Sequence, residues 1–189
     1  MNNPVLENIN NRRSVRNFTN KEISKEILET IIKAGNMAPS GSNVQPWRFV
    51  VITDPSARQK LAELALPRYS EWLGKADPQM QERRREVDKI TPDPIYYSAP
   101  AIIFVIGQGT FNSFDCPMVC ENMMLAARSL GIGSCWVFFG QLIIDNPEIR
   151  QLLELKADEK VFGPLVLGYP KDGVFPPCPP KKDANVKWV

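Results

Sequence analysis

An α/β sandwich is the fold class predicted for this chain of 189 residues, because apolar segments of strand length alternate with segments of helical periodicity. Two further observations support it. The 43% hydrophobic and 23% charged content is that of a folded globular chain. At this length roughly 70% of the unfolded surface can be buried, so neither a disulfide nor a metal is needed to hold the core together.

Taken in order, Ser24 precedes Lys25, Glu26, Ile27 and Leu28, with Ile31, Ile32 and Gly35 beyond them. This is an N-cap followed by an apolar stripe, and it predicts a helix ending near Gly35 and Asn36. Residues 47–53 read as a strand. Asp54 and Pro55 then form an N-cap and first-turn pair opening a helix through Leu66. Residues 67–100 are polar and rich in charge and proline, which predicts a helical excursion or lid. Residues 101–106 are an unbroken apolar strand. Asp115 is expected to cap a helix carrying Met118, Val119, Met123, Leu125, Ala126 and Leu130, stopped by Gly131. A strand over 135–139, a short helix over 147–155 and a strand over 161–169 complete the alternation. Residues 170–189 hold Pro176, Pro177, Pro179 and Pro180 and predict an extended tail. No repeat and no boundary divides the chain, so 1–189 is expected to be one domain.

Composition excludes several function classes. The chain has no histidine, which removes Ser-His-Asp and Cys-His nucleophilic pairs, imidazole metal sites and histidine general bases. Its net charge of +2 is too small for nucleic-acid binding by bulk charge. The amino end lacks the basic and apolar regions of a secretory signal, and no apolar run approaches the ~20 residues of a membrane span. Cys116, Cys120, Cys135 and Cys178 are therefore expected to stay reduced in a cytoplasmic protein. Cys116 and Cys120 lie one helical turn apart, but no histidine completes a metal site around them.

Four constellations remain. In an extended stretch, Arg12, Ser14 and Arg16 point to one side, with Arg13 between them. Two guanidinium forks flanking a hydroxyl suit a phosphate, although a solvated basic turn has the same sequence. Residues 38–47 contain Pro39, Ser40, Gly41, Asn43, Gln45 and Pro46. Their carboxamides match a heterocycle edge that alternates carbonyl and N–H, or else they close an Asx-turn between helix and strand. Gly131 and Gly133 permit close approach of backbone to a ligand, and Trp136, Val137 and Phe138 follow. The pair ends a helix instead of opening one, so it is not a dinucleotide fingerprint. Lys181 and Lys182 stand behind the proline run. The run from Glu82 to Glu86, with Arg83, Arg84 and Arg85 inside it, reads as a solvated helix face.

In this order the motifs resemble the nitroreductase family of FMN enzymes. The quoted residues are Arg12-Arg13-Ser14-Val15-Arg16, Ala38-Pro39-Ser40-Gly41-Ser42-Asn43-Val44-Gln45-Pro46-Trp47, Asn122 to Ala127 leading into Leu130 to Trp136, and Gly168-Tyr169-Pro170 leading into Pro179-Pro180-Lys181-Lys182. The likeness covers 9–54, 115–136 and 163–188. It implies an α+β sandwich with a central mixed, mainly antiparallel sheet, and a homodimer whose carboxy-terminal tails embrace the partner. It further implies that Arg12, Arg13, Ser14 and Arg16 hold the FMN phosphate, ribityl chain and pyrimidine end, while Lys181 and Lys182 close around the phosphate. Pro39, Ser40, Gly41 and Asn43 would come from the other subunit to cover the ring, with the backbone of Trp136, Val137 and Phe138 near N5. Arg68 is the candidate for flavin contact from the 65–75 region.

Glu121 stands where many family members have Gln, as a change on a helix surface, and Phe138-Phe139 replaces smaller residues. The implied activity is hydride transfer from NAD(P)H through FMN to a nitroaromatic, quinone or enone, in ping-pong order, with the flavin carrying the chemistry. Should the bulky phenylalanines and residues 67–100 close the cleft, the alternative is an FMN store or sensor without turnover.

Overall fold

The computed structural model describes residues 3–189. Four strands, β1 (Trp47–Ile52), β2 (Ala101–Gly107), β3 (Gly133–Trp136) and β4 (Lys160–Gly168), form one sheet in the order β1-β2-β4-β3. All three pairings are antiparallel. The parallel component is an isolated bridge between Ser14 and Ser134. Helices flank both faces, so the fold is the α+β sandwich that the family resemblance implies.

β2 is central, and its side chains alternate between two cores. Ile102, Phe104 and Ile106 enter one core with Leu61, Ala65 and Tyr69 of α3 (Pro55–Lys75), Ile95, Tyr96 and Tyr97, and Ile149 of α6 (Pro147–Leu152). Ala101, Ile103 and Val105 enter the other with Leu28 and Ile31 of α2 (Lys25–Asn36) and Val119, Met123 and Ala127 of α5 (Asn112–Ser129). Burial on both faces explains why this strand reads as an unbroken apolar run. The two helices of the second core meet closely at Gly35, where a Cβ would stand 2.5 Å from Met123 Cγ.

Several boundaries differ from the sequence expectation. α1 (Pro4–Asn11) was not foreseen, although Asn3 caps it by accepting from the N–H groups of Val5 and Leu6. α3 runs past Leu66 and through Pro67, because Leu61, Ala65 and Tyr69 form one buried stripe that tertiary packing keeps helical. The rest of 67–100 contains α4 (Pro78–Asp88) and an irregular segment whose Ile95, Tyr96, Tyr97 and Ala99 are core residues. Asp115 is not a cap: α5 begins at Asn112, and Asp115 is buried one turn in. The strand expected at 135–139 ends at Trp136 and gives way to a 3₁₀ turn, Phe138–Gln141. There the Phe139 ring packs against Tyr69 and Trp72, with centroids 5.4 and 4.5 Å away.

Candidate functional site

The arginine turn is held from three sides. Asn8 of α1 donates to the Leu125 carbonyl of α5 at 2.9 Å, and Arg128 of α5 donates back to the Asn11 carbonyl at 3.1 Å. The Val15 N–H donates to the Ser134 carbonyl of β3 at 2.9 Å. Val15 itself is buried against Gly133, where a Cβ would come within 2.8 Å of its side chain. A residue larger than glycine there would push the turn off the sheet.

The tail returns to the same place. The Thr19 N–H donates to the Tyr169 carbonyl and the Lys171 N–H to the Asn17 carbonyl, and Phe175 lies 4.1 Å beneath the Arg128 guanidinium. Pro176, Pro177, Cys178, Pro179 and Lys181 then face Arg12, Arg13, Ser14 and Arg16 across a cavity of about 740 Å³, with Ile9, Asn10 and Glu121 completing its wall. Thus Arg12, Arg13, Ser14, Arg16 and Lys181 are brought together. Lys182 is exposed and lies outside that lining.

Charge in the cavity is predominantly positive. Its carboxylate is Glu121, whose Oε1 is 3.4 Å from Arg12 Nε, so Glu121 faces the site and is more than a helix-surface change. Arg13 Nε is buried without a hydrogen-bond partner. On β3, burial pushes the Cys135 thiol up, while the guanidiniums of Arg16, Arg12 and Arg84 and a hydrogen bond from Ser14 pull the other way. The field of the arginines therefore reaches the strand that carries Trp136.

Pro39, Ser40, Gly41 and Asn43 are not in this cavity. They form a separate exposed turn, where Ser42 (φ 51), Asn43 (φ 56) and Gln45 (φ 49) adopt left-handed backbone conformations. Non-glycine residues held there cost on the order of 1–3 kcal/mol each and collect at ligand-contacting segments. The Gln45 N–H donates to Ser40 Oγ at 3.0 Å, and the Gly41 N–H reaches Asp115 Oδ1 at 3.4 Å. The local hydrogen bonding foreseen for this loop is present, since Gln45 Nε2 also donates to the Asn43 carbonyl at 3.3 Å. Asp115 Oδ2, buried behind the loop, has no partner.

Trp136 and Phe138 are exposed and Val137 is buried between them. Trp136 stands two residues along β3 from the Ser134 bridge to Ser14, hence on the same side of the strand. Arg68 is exposed on α3, and the inward residue beside it is Tyr69.

Two residues that the sequence did not place at the site, Tyr97 and Arg84, lie behind the arginine turn. Tyr97 is buried at φ 58, and its ring centre is 5.9 Å from the guanidinium carbons of both Arg16 and Arg84. Arg84, expected on a solvated face, is only 7% exposed. Its Nε donates to Tyr69 Oη at 2.8 Å, Nη1 donates to Tyr97 Oη at 3.3 Å, and Nη2 donates to the Pro94 carbonyl. The available signal was its spacing from Met80 and Val87, which places all three on one face of α4.

Elsewhere, a cavity of about 410 Å³ between α3 and residues 92–99 is lined largely by apolar side chains. Its Arg58 is committed to the Ala99 and Thr53 carbonyls. Among the described residues no group of three or more side chains is placed to hold a metal, and no helix is long and apolar enough to cross a membrane.

Known proteins resemble this chain in sequence and in fold. The family model described as the nitroreductase family matches residues 9–169. A protein of Archaeoglobus fulgidus, provisionally named NADH dehydrogenase/NAD(P)H nitroreductase, is 34% identical over 88% of this chain and 86% of its own length. A Bacteroides fragilis nitroreductase solved with bound FMN is 31% identical and superposes over 100% of both chains with a TM-score of 0.79. Iodotyrosine deiodinase 1 of Sus scrofa is 25% identical over 93% of this chain, which spans 64% of that longer protein. A family model that matches most of the chain, a relative 34% identical over 88% of it and the shared sandwich fold show that this chain belongs to the nitroreductase family.

Proposed function

We propose that this protein is an FMN-dependent oxidoreductase that takes hydride from NAD(P)H and reduces an electron-poor acceptor such as a nitroaromatic, quinone or enone in ping-pong order. The observation that carries the reading is the convergence of Arg12, Arg13, Arg16 and Lys181 on one cavity. Planar guanidinium forks and an ammonium suit a phosphate monoester, and the unpartnered Arg13 Nε supplies a donor that an anion would satisfy. The residues present therefore fit FMN. When bound, FMN supplies the hydride chemistry itself.

The chain's own groups bind, orient and set charge. Arg12, Arg13 and Lys181 hold the phosphate, Lys182 closes over it from outside the cavity lining, and Ser14 and Arg16 lead from it toward the ring end and Trp136. Positive charge held there favours the reduced cofactor. Pro39, Ser40, Gly41 and Asn43 offer rigid backbone and a carboxamide from a second copy of the chain, so the functional unit is a homodimer. No histidine is available as a proton donor, and burial pushes the thiols of Cys116 and Cys120 up to about 12. Protons are accordingly drawn from water or a hydroxyl.

Anaerobic addition of NADH or NADPH to the FMN-loaded protein tests the reading. Bleaching of the yellow colour, reversed by a nitroaromatic, is the expected result. Absence of bleaching with both nicotinamides overturns the oxidoreductase reading in favour of an FMN store. Because relatives named iodotyrosine deiodinase match most of the chain, the reduced protein should also be challenged with an iodinated tyrosine to assign the acceptor class.

A further inference from the structure

Arg84 occupies an unusual position. It is a buried cation on α4 with no carboxylate in salt-bridge contact among the described residues, held instead by the Tyr69 and Tyr97 hydroxyls and the Pro94 carbonyl. The nearest acidic link is indirect, through Tyr69 Oη donating to Asp88 Oδ1 at 3.4 Å. Three rings surround the guanidinium, those of Phe139, Tyr69 and Tyr97, at 4.8, 5.1 and 5.9 Å from its carbon. Burying an unpaired charge is costly, and aromatic faces offset only part of that cost.

Tyr97 is equally unusual, as a bulky residue held in the left-handed region. Its ring stands near two guanidiniums, Arg84 on one element and Arg16 on the arginine turn. Two cations sharing one ring repel each other unless an anion lies near. Phe139 belongs to the turn that follows Trp136 and packs on Tyr69 and Trp72 of α3. Arg84 thus ties α3, α4 and the turn after β3 to the back of the arginine turn.

We infer that Arg84 is a positioning residue for the flavin site: through Tyr97 it fixes Arg16, and its uncompensated charge makes the site favour the reduced, more negative form of FMN over the oxidised form. This rests on the FMN reading above and adds to it a residue outside the motifs that carry the family resemblance. The Arg84 and Arg16 guanidinium carbons each stand 5.9 Å from the Tyr97 ring centre, hence no more than about 12 Å from each other, and over such a span a unit charge at an effective dielectric of about 20 changes an equilibrium about tenfold. That is the size of effect a buried charge behind the site should have.

The test compares wild type with Arg84→Gln, Arg84→Lys and Tyr97→Phe, measuring FMN affinity by fluorescence titration and the midpoint potential anaerobically against a reference dye. Arg84→Gln should lower the preference for reduced over oxidised FMN about tenfold, a midpoint about 30 mV lower for a two-electron couple. Arg84→Lys, which keeps the charge, should recover at least half of that shift. Tyr97→Phe, which keeps the ring and both cations, should move the potential less than Arg84→Gln does. A purely structural role would lower affinity for both redox forms alike and leave the potential unmoved, which overturns the inference, as does a Lys variant shifted as far as the Gln variant. If Arg84→Gln does not fold, Arg84→Met, which also removes the charge but keeps an unbranched apolar stem, takes its place: a midpoint about 30 mV below wild type supports the inference, and one within about 15 mV of wild type overturns it. Wild-type protein that takes up no FMN would overturn the flavin reading itself, whereas normal uptake with an unmoved potential overturns this inference only.

Discussion

Arg16 is exposed and has no carboxylate partner among the described residues, whereas Arg12 shares its guanidinium with Glu121. The two arginines should therefore respond differently to an anion. Arg16→Ala removes a charge-assisted contact and should weaken FMN binding by about 1.5–3 kcal/mol, read by equilibrium titration. Glu121→Gln should act the other way. Its half-exposed ion pair with Arg12 is worth little by itself, while its carboxylate repels a phosphate in the same cavity. The variant is expected to bind FMN about two- to fivefold more tightly, with the gain shrinking as salt is raised; weaker binding would show that Glu121 serves to orient Arg12. That Arg12, Arg13 and Arg16 gather as a cationic cluster was legible from their spacing, whereas Lys181, far off in the chain, was placed with them only through the family resemblance. Arg84 was not legible, since its neighbours Arg83 and Arg85 are exposed and only helical phase separates them from it.

Among elements, the turns and helices that form the site are braced by distant contacts. At the other edge of the sheet, Arg48 of β1 clamps the loop before β4. Its Nε and Nη2 donate to the two carboxylate oxygens of Glu159 at 2.8 and 2.7 Å, and Nη2 also donates to the Leu153 and Glu154 carbonyls. The hydrogen bond from Arg48 holds the Glu159 carboxyl down to about 2, against an unfolded value of about 4.3. A depressed folded-state value stabilises the protein above the unfolded value, and that contribution is lost as pH falls from about 4.3 to about 2. Urea unfolding at pH 7, 4 and 2.5 should show wild type losing stability through this window, and Glu159→Gln losing less; equal losses would mean the clamp is not what titrates. Asp54 and Glu71, held down by Ser56 and Lys75, shift in the same direction but are solvent-exposed and screened.

Element ends were where sequence reasoning fell short. Pro67 is a helix breaker by local rules, yet Leu61, Ala65 and Tyr69 bury one stripe across it. The apolar residues after Trp136 continue a strand by pattern, yet Phe139 is pulled into the ring cluster over α3.

For the molecule as a whole, hydrophobic periodicity revealed layers but not strand direction, which β1 and β2 settle only by pairing across the long α3–α4 connection. The arginine cavity is assembled within one chain, but the strained Gly41–Asn43 turn lies elsewhere, and Phe111, just before α5, with Phe114 and Met118 on that helix, presents apolar surface near it. An apolar surface beside a strained loop is suited to a second copy. Sedimentation should therefore give a species of twice the 21.3 kDa chain mass, binding one FMN per chain. A monomer that retains full FMN affinity would contradict the role proposed for Pro39, Ser40, Gly41 and Asn43.

The most direct measurement is a crystal structure of the FMN complex. The phosphate should lie within hydrogen-bonding distance of Arg12, Arg13 and Lys181, with Arg13 Nε no longer without a partner and Arg16 toward the ring end. A phosphate bound elsewhere, with those side chains turned to solvent, would contradict the account.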